Sequence, residues 1–271
     1  MTPIEWSIAA ALFGLLIGSF LNVCIGRLPY DESVVTPRSH CPQCGTMIAW
    51  YDNLPVVSYL ILRAKCRSCA APIPWRYPAV ELLTGGLFFA AISLHGPNLT
   101  GLKWCIFAAL LVGLIFTDLE TRILPDEFTK SGIVAGLLFA PIAPLPPGLL
   151  SLFWPEATPA ITSLLDSLAA AFLLSGGLWL MGRAYQRLRH REGLGFGDVK
   201  MLALLGAFLG LEGALLVMVL ASLFGSILGL AWVKLRGEDL ATYELPFGSF
   251  LGAAGLAVAF GGASLLTGLR P

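Results

Sequence analysis

Gly195-Phe196-Gly197-Asp198 ends in a carboxylate, and an apolar run from Val199 to Gly210 follows at once, interrupted only by Lys200. Whether that run crosses a membrane decides the fold. An acid at the mouth of a membrane helix is costly to keep and marks a functional site by default. The rest of the chain must place this acid, pair it and deliver a substrate to it.

The 271 residues are 56% hydrophobic and only 13% charged, and the mean hydropathy is +0.79. Soluble domains carry about 25% charged residues. Half that share, gathered between long apolar runs, indicates an integral membrane protein. A spanning helix takes about 20 apolar residues. Eight candidates follow that pattern, near 4–25, 79–95, 102–117, 131–149, 162–182, 199–211, 213–233 and 247–268. The first is too long for the apolar core of a signal peptide, about 7–15 residues, and no basic stretch precedes it. It is expected to remain as a spanning helix. Pro141, Pro144, Pro146 and Pro147 cut the fourth run, whose end should be bent or non-helical. The sixth is short and runs into Leu211-Glu212-Gly213, which suggests a tight helical hairpin with the seventh. No internal repeat and no dinucleotide or phosphate-loop pattern is present, and nothing points to nucleic acid.

Lysine and arginine set the orientation. Fifteen of the 17 fall in the loops after helices 1, 3, 5 and 7, from Arg27 to Arg236 and including Arg191; only Lys103 and Arg270 lie on the other side. The crowded side is therefore expected to be cytoplasmic, with both termini outside the cytoplasm.

The one sizeable soluble stretch is 27–78, too short to bury a strong core unaided. It holds Cys41-Pro-Gln-Cys44 and Cys66-Arg-Ser-Cys69, with 21 residues between the pairs. Cytoplasmic thiols stay reduced, so disulfides are disfavoured, and two such knuckles supply four thiolates for a tetrahedral zinc. Four thiolates leave no open position, so that zinc would be structural. Cys24 and Cys105 sit inside spans and read as packing residues.

Two acids face the cytoplasmic side. Asp118 closes the third span and Asp198 opens the sixth, so oppositely directed helices bring both to one membrane face across 80 residues of sequence. Asp198 alone reads equally as a helix cap. Asp118 resists that reading, because a helix C-terminus disfavours negative charge, although Arg122 could offset it. By the same argument Asp118 should hold a shared proton more readily than Asp198. Asp126 reads as a cap or loop acid, Asp166 as an acid in the first turn of the fifth span, and Glu81 lies beside the cysteine domain. Two carboxylates sharing a site cannot both ionise easily; one keeps its proton while the other takes one from water, which is amide-hydrolysing chemistry. Gly195 and Gly197 would let a substrate backbone approach closely, or simply make a flexible loop start.

These residues resemble the prepilin peptidase family, the bifunctional leader peptidases and N-methyltransferases of bacterial type IV pilus and type II secretion systems. The resemblance rests on Gly18-Ser-Phe-Leu-Asn-Val23 with Arg27-Leu-Pro29, on both cysteine pairs, on Trp50-Tyr-Asp-Asn-Leu-Pro55 and Ser58-Tyr-Leu60, and on Tyr77-Pro-Ala-Val-Glu-Leu82. It continues through Asp118 with Leu124-Pro-Asp126, through Gly195-Phe-Gly-Asp-Val-Lys200, which resembles the Gly-x-Gly-Asp segment of intramembrane aspartic proteases, and through Pro246-Phe-Gly248.

The resemblance implies an all-α integral membrane protein of about eight transmembrane helices with a small cytoplasmic zinc-binding domain between helices 1 and 2. Its parts would be a first helix at 1–26, the four-cysteine domain at 27–78 and a polytopic aspartic protease domain at 79–271. Asp118 and Asp198 would cleave the leader of a prepilin or pseudopilin after glycine at the cytoplasmic face of the bacterial inner membrane, the substrate helix lying in lipid. The new N-terminus would be methylated from S-adenosylmethionine, for which no residue is assigned. Two positions depart from the family pattern. Ala64 stands where glycine is usual, which harms methyl transfer if φ > 0 or close cofactor approach is required there. Ser249 stands where the last motif usually has a second proline, a change that should only loosen a turn. The alternatives are a peptidase that has lost methyl transfer and an ion-coupled membrane transporter.

Overall fold

A computed structural model describes residues 2–189, 195–236 and 245–267. Arg191, Arg270 and the last residue of the eighth predicted span lie outside the described residues. The described residues form helices without a β-strand, the only ladder contacts being two isolated bridges in the cysteine region. The helices are α1 (Pro3–Arg27), α2 (Val57–Ile61), α3 (Arg76–His95), α4 (Leu99–Thr121), α5 (Asp126–Ile142), α6 (Pro159–Arg189), α7 (Phe196–Arg236) and α8 (Phe247–Thr267). The chain divides into two compact units, Met1–Phe116 and Thr117–Pro271.

Among the described residues, five segments are long and apolar enough to cross a membrane: Pro3–Tyr30, Arg76–His95, Leu99–Thr121, Pro159–Arg189 and Phe196–Gly229. The chain is thus a multi-pass, all-helical membrane protein. α5 and the apolar part of α8, Phe247–Gly261, are shorter. α5 begins earlier than the apolar run because Pro125 and the acids Asp126 and Glu127 make a good first turn, and it stops one residue past Pro141.

In the first unit, α1 starts on a capping box: the Thr2 hydroxyl accepts from Glu5 N–H and the Glu5 carboxylate accepts from Thr2 N–H, with Pro3 at the first helical position. α1 packs on α3 through small residues. A Cβ on Gly18 would lie 2.6 Å from the Glu81 Cα, and one on Gly14 would lie 2.9 Å from the Gly85 Cα. Close backbone approach of this kind drives helix association where lipid removes the hydrophobic gain.

In the second unit, α7 packs against α5, α6 and α8. It is broken at Gly210, where φ is 69° and ψ is −172°. Gly197, near the start of α7, and Gly248, at the start of α8, both pack on Leu124, while Gly225 and Gly229 lie against Phe250 and Leu245. The later part of α7 has therefore returned to the level of its own start, and the chain reverses at Gly210. Asp166 braces the reversal. Its Oδ2 accepts the Leu211 N–H at 3.3 Å, and a Cβ on residue 210 would fall 2.1 Å from that oxygen. Asp166 lies beyond the first turn of α6 and is buried. Its role in the fold is to cap the break in α7, which replaces the reading of this acid as one of a helix's first turn.

Candidate active site

Asp118 lies in the last turn of α4 and is only 4% exposed. The helix closes on Arg122, which adopts the left-handed conformation at φ 57° and donates its N–H to the Asp118 carbonyl at 2.9 Å. A non-glycine residue there costs roughly 1–2 kcal/mol. The helix C-terminus that should disfavour the Asp118 carboxylate is offset by the start of another helix. The Ser249 N–H donates to Asp118 Oδ2 at 2.6 Å and the Ser249 hydroxyl donates to the same oxygen at 2.7 Å. Ser249 is the third residue of α8, so Asp118 caps the positive end of that helix from outside it. The dipole argument that gave Asp118 the shared proton counted only one of these two helix ends and no longer decides the matter.

Gly248 permits the approach. A Cβ at this position would lie 3.1 Å from the Asp118 Cγ and 3.0 Å from the Leu124 Cδ1. Leu124 is also where the α7 start docks, since a Cβ on Gly197 would lie 3.2 Å from the Leu124 Cβ. Asp198 is the third residue of α7, not its cap, and is half-buried; its N–H donates to the Gly195 carbonyl at 3.2 Å. Its carboxylate turns back toward Gly195, whose Cβ direction would meet Asp198 Oδ2 at 3.4 Å. Asp118 and Asp198 lie within electrostatic reach of each other. Of the two glycines expected to admit a substrate, Gly195 is exposed, whereas the side-chain direction of Gly197 is filled by Leu124.

Asp126, read from sequence as a cap or loop acid, is an anchor. Its carboxylate pairs with Lys130 at 2.7 Å and with Lys200, which ties the start of α5 to the start of α7 two residues beyond Asp198. Neither this pair nor Ser249 was foreseen. The Lys200 signal was present, as the one charge inside the apolar run behind Asp198. Ser249 carried a weaker one, a serine in the first turn of an apolar helix.

In the first unit, the Sγ atoms of Cys41, Cys44, Cys66 and Cys69 lie within 4.8 Å of one another. A tetrahedral zinc with Zn–S of about 2.3 Å sets its sulfurs about 3.8 Å apart. Cys41 and Cys69 stand at 3.8 Å, so the residues fit the metal. The two knuckles share one backbone pattern. Cys41 N–H donates to Thr46 O and Gly45 N–H to Cys41 O, both at 2.9 Å; Cys66 N–H donates to Ala71 O at 2.8 Å and Ala70 N–H to Cys66 O at 2.9 Å. Thr46, through its side chain and its backbone N–H, pulls the Cys44 thiol down to about 6, toward the thiolate a metal needs. Arg67 braces the second knuckle with a bidentate pair to Asp52 at 2.7 and 2.6 Å, which holds the Asp52 carboxyl below its ordinary range. Cys24 and Cys105 are buried away from this cluster in α1 and α4.

Ala64 takes φ 57°, so the position does require the left-handed backbone that glycine adopts freely. Glu81 is buried, and its Oε2 accepts the Val56 N–H at 2.7 Å. Val56 is a β-branched residue at φ 62°, an uncommon conformation that needs such support. This carboxylate oxygen is thus occupied in shaping the cysteine domain, and Glu81 is not assigned to a cofactor.

Residues 12–95 match the bacterial peptidase A24 N-terminal domain, and residues 105–230 match the type IV leader peptidase family. A prepilin leader peptidase/N-methyltransferase from Aeromonas hydrophila is 37% identical over 268 residues, covering 90% of this chain and 87% of that protein. The chain belongs to the type IV leader peptidase family. A protein of the same name from Xanthomonas campestris is 36% identical over 96% of this chain and 93% of its own length. Another, from Myxococcus xanthus, is 40% identical over 84% of this chain, and the chain spans 63% of its length. No solved structure matches. Within the leader peptidase match fall Asp118, Leu124, Asp126 and Asp198; within the N-terminal match fall all four clustered cysteines.

Proposed function

We propose that this chain cleaves the leader of type IV prepilins or pseudopilins after glycine, at the cytoplasmic face of the bacterial inner membrane, and N-methylates the new N-terminus. The observation that carries the reading is that Gly248, which touches Asp118, and Gly197, the neighbour of Asp198, both pack on Leu124, although the two acids are 80 residues apart in sequence. Membership of the leader peptidase family supplies the substrate class, and the relatives are named for both activities. Peptidase activity alone and ion-coupled transport are not favoured.

In this reading one carboxylate of the pair is ionised and the other protonated. The ionised group takes a proton from water as the water oxygen bonds to the carbonyl carbon of the leader's final glycine. The protonated group then gives its proton to the amide nitrogen as the C–N bond breaks. The products are a leader ending in a carboxylate and a pilin with a free amine. Exposed Gly195 would lie beside the extended substrate backbone, and Gly197 would seat α7 on Leu124. S-adenosylmethionine would supply the methyl group for that amine.

Cys41, Cys44, Cys66 and Cys69 would hold a structural zinc that fixes the domain at 27–78 between the first helix, 1–26, and the membrane domain, 79–271. Counting α7 as two passes gives eight spans with α1, α3, α4, α5, α6 and α8. With eight spans and the lysine and arginine asymmetry, both termini would lie outside the cytoplasm. Lipid surrounds the spans, and the pilus or secretion machinery is the pathway context.

The test is mass spectrometry of a prepilin incubated with the purified enzyme and S-adenosylmethionine. The expected product has lost its leader and gained one CH₂ unit. An intact prepilin sinks the reading; cleavage without that gain sinks its methyltransferase half.

A further inference from the structure

Ser249 is buried, and both of its donors converge on a single oxygen of Asp118. An N–H at the third position of a helix has no partner in the full helical ladder. Here it makes a longer contact of 3.2 Å to the Pro246 carbonyl and a shorter one of 2.6 Å to Asp118 Oδ2. The absence of a side chain at Gly248 lets that N–H approach. The hydroxyl adds a second donor at 2.7 Å.

We propose that Ser249 is a positioning residue for Asp118. It holds Oδ2 as an acceptor and leaves Oδ1 as the oxygen that takes the proton of the attacking water or shares one with Asp198. This rests on the reading of the two aspartates as the hydrolytic pair. An oxygen that accepts from both an N–H and an O–H is not the oxygen that carries a proton. Hydrogen bonds to an ionised carboxylate are short and roughly twice as strong as neutral ones, so the pair fixes the plane of the carboxyl as well as its occupancy. Reaction rate is sensitive to such orientation. The family motif usually places proline here, and proline supplies neither donor. This chain therefore holds its first aspartate by a contact that the usual motif lacks.

The test is steady-state cleavage of a prepilin by the full-length enzyme and its variants at position 249. Ser249→Ala keeps the N–H and loses the hydroxyl; kcat is expected to fall about tenfold, the effect of one charge-assisted hydrogen bond, with KM within about twofold. Ser249→Thr returns a hydroxyl and should recover most of that loss. Ser249→Pro removes both donors at a helix turn where proline is tolerated, and should lose about a further tenfold. A residue that merely packs would lower thermal stability without splitting kcat from KM, and threonine would not rescue alanine. Alanine and proline variants with undiminished kcat overturn the proposal, as does a loss shared equally by threonine and alanine. If the proline variant does not fold, the alanine and threonine pair decides. Failure of the unaltered enzyme to cleave at all overturns the hydrolytic reading beneath it.

Discussion

In the cysteine cluster, each pair of ligands is three residues apart and is shaped by hydrogen bonds within its own knuckle. Asp118 and Asp198 are 80 residues apart, and their surroundings come from three helices and a loop residue, Leu124. The first site is local, and a metal that binds strongly would complete it. The second depends on α7 reversing at Gly210 and on α8 presenting its first turn to Asp118. The contrast teaches where each site is fragile. A knuckle fails when a ligand or a turn residue is changed. The carboxylate pair fails when a helix start shifts by a few tenths of an ångström.

The largest expected effect lies at the carboxylates. Asp118→Asn or Asp198→Asn should lower leader cleavage by more than about a thousandfold, as removal of one member of a hydrolytic constellation does. Zinc content should stay the same. A purified variant that processes prepilin at a near-normal rate would break the assignment of the pair. The matching change in the other region is Cys44→Ser. Protein purified without chelators should carry one zinc per chain, and the variant none. A structural zinc contributes about 10 kcal/mol or more to the folding of a small domain. Hydrogen-exchange protection should therefore vanish across the knuckles and persist in α7 and α8. Retained protection at the Gly45 and Ala70 amides, with no metal bound, would show that the local site does not need its ion.

How much of this was legible follows the same divide. CxxC spacing can be read directly, because each knuckle is a local event. The break at Gly210 was also legible, from the short apolar run ending at Leu211-Glu-Gly213. That Asp118 and Asp198 work as a pair is an expectation from helix direction and the charge asymmetry, and it belongs to the proposed function. Ser249 was misjudged as a turn residue because its partner is 131 residues away, and no local pattern encodes that contact. Asp166 was misplaced for a similar reason, since its use appears only when α6 lies beside the break in α7. Gly248 tests how closely the non-local site is fitted. Gly248→Ala would press on the Asp118 Cγ at 3.1 Å and on Leu124 at 3.0 Å. It should destabilise by about 1–3 kcal/mol and lower cleavage about tenfold or more, as misplacement of a reacting group does. Unchanged kcat would mean that the α8 start can give way without moving the carboxylate.

The smallest effect is a comparison within the cysteine cluster itself. The residue after each second cysteine takes the left-handed conformation, Gly45 at φ 70° and Ala70 at φ 58°. The same turn is thus built once with glycine and once with alanine. A Cβ on Gly45 would meet nothing within 4 Å, so substitution there changes conformational preference and not packing. Gly45→Ala should cost about 1 kcal/mol. Ala70→Gly should return less than that, because glycine also loosens the unfolded chain. Ala64→Gly, at φ 57°, should behave like Ala70→Gly. The measurement is exchange of the Gly45 and Ala70 amides, which donate to the Cys41 and Cys66 carbonyls. The expected signs are opposite at the two knuckles, faster opening for Gly45→Ala and slower for Ala70→Gly. Changes of the same sign would mean that the metal, and not the backbone turn, sets the stability of each knuckle.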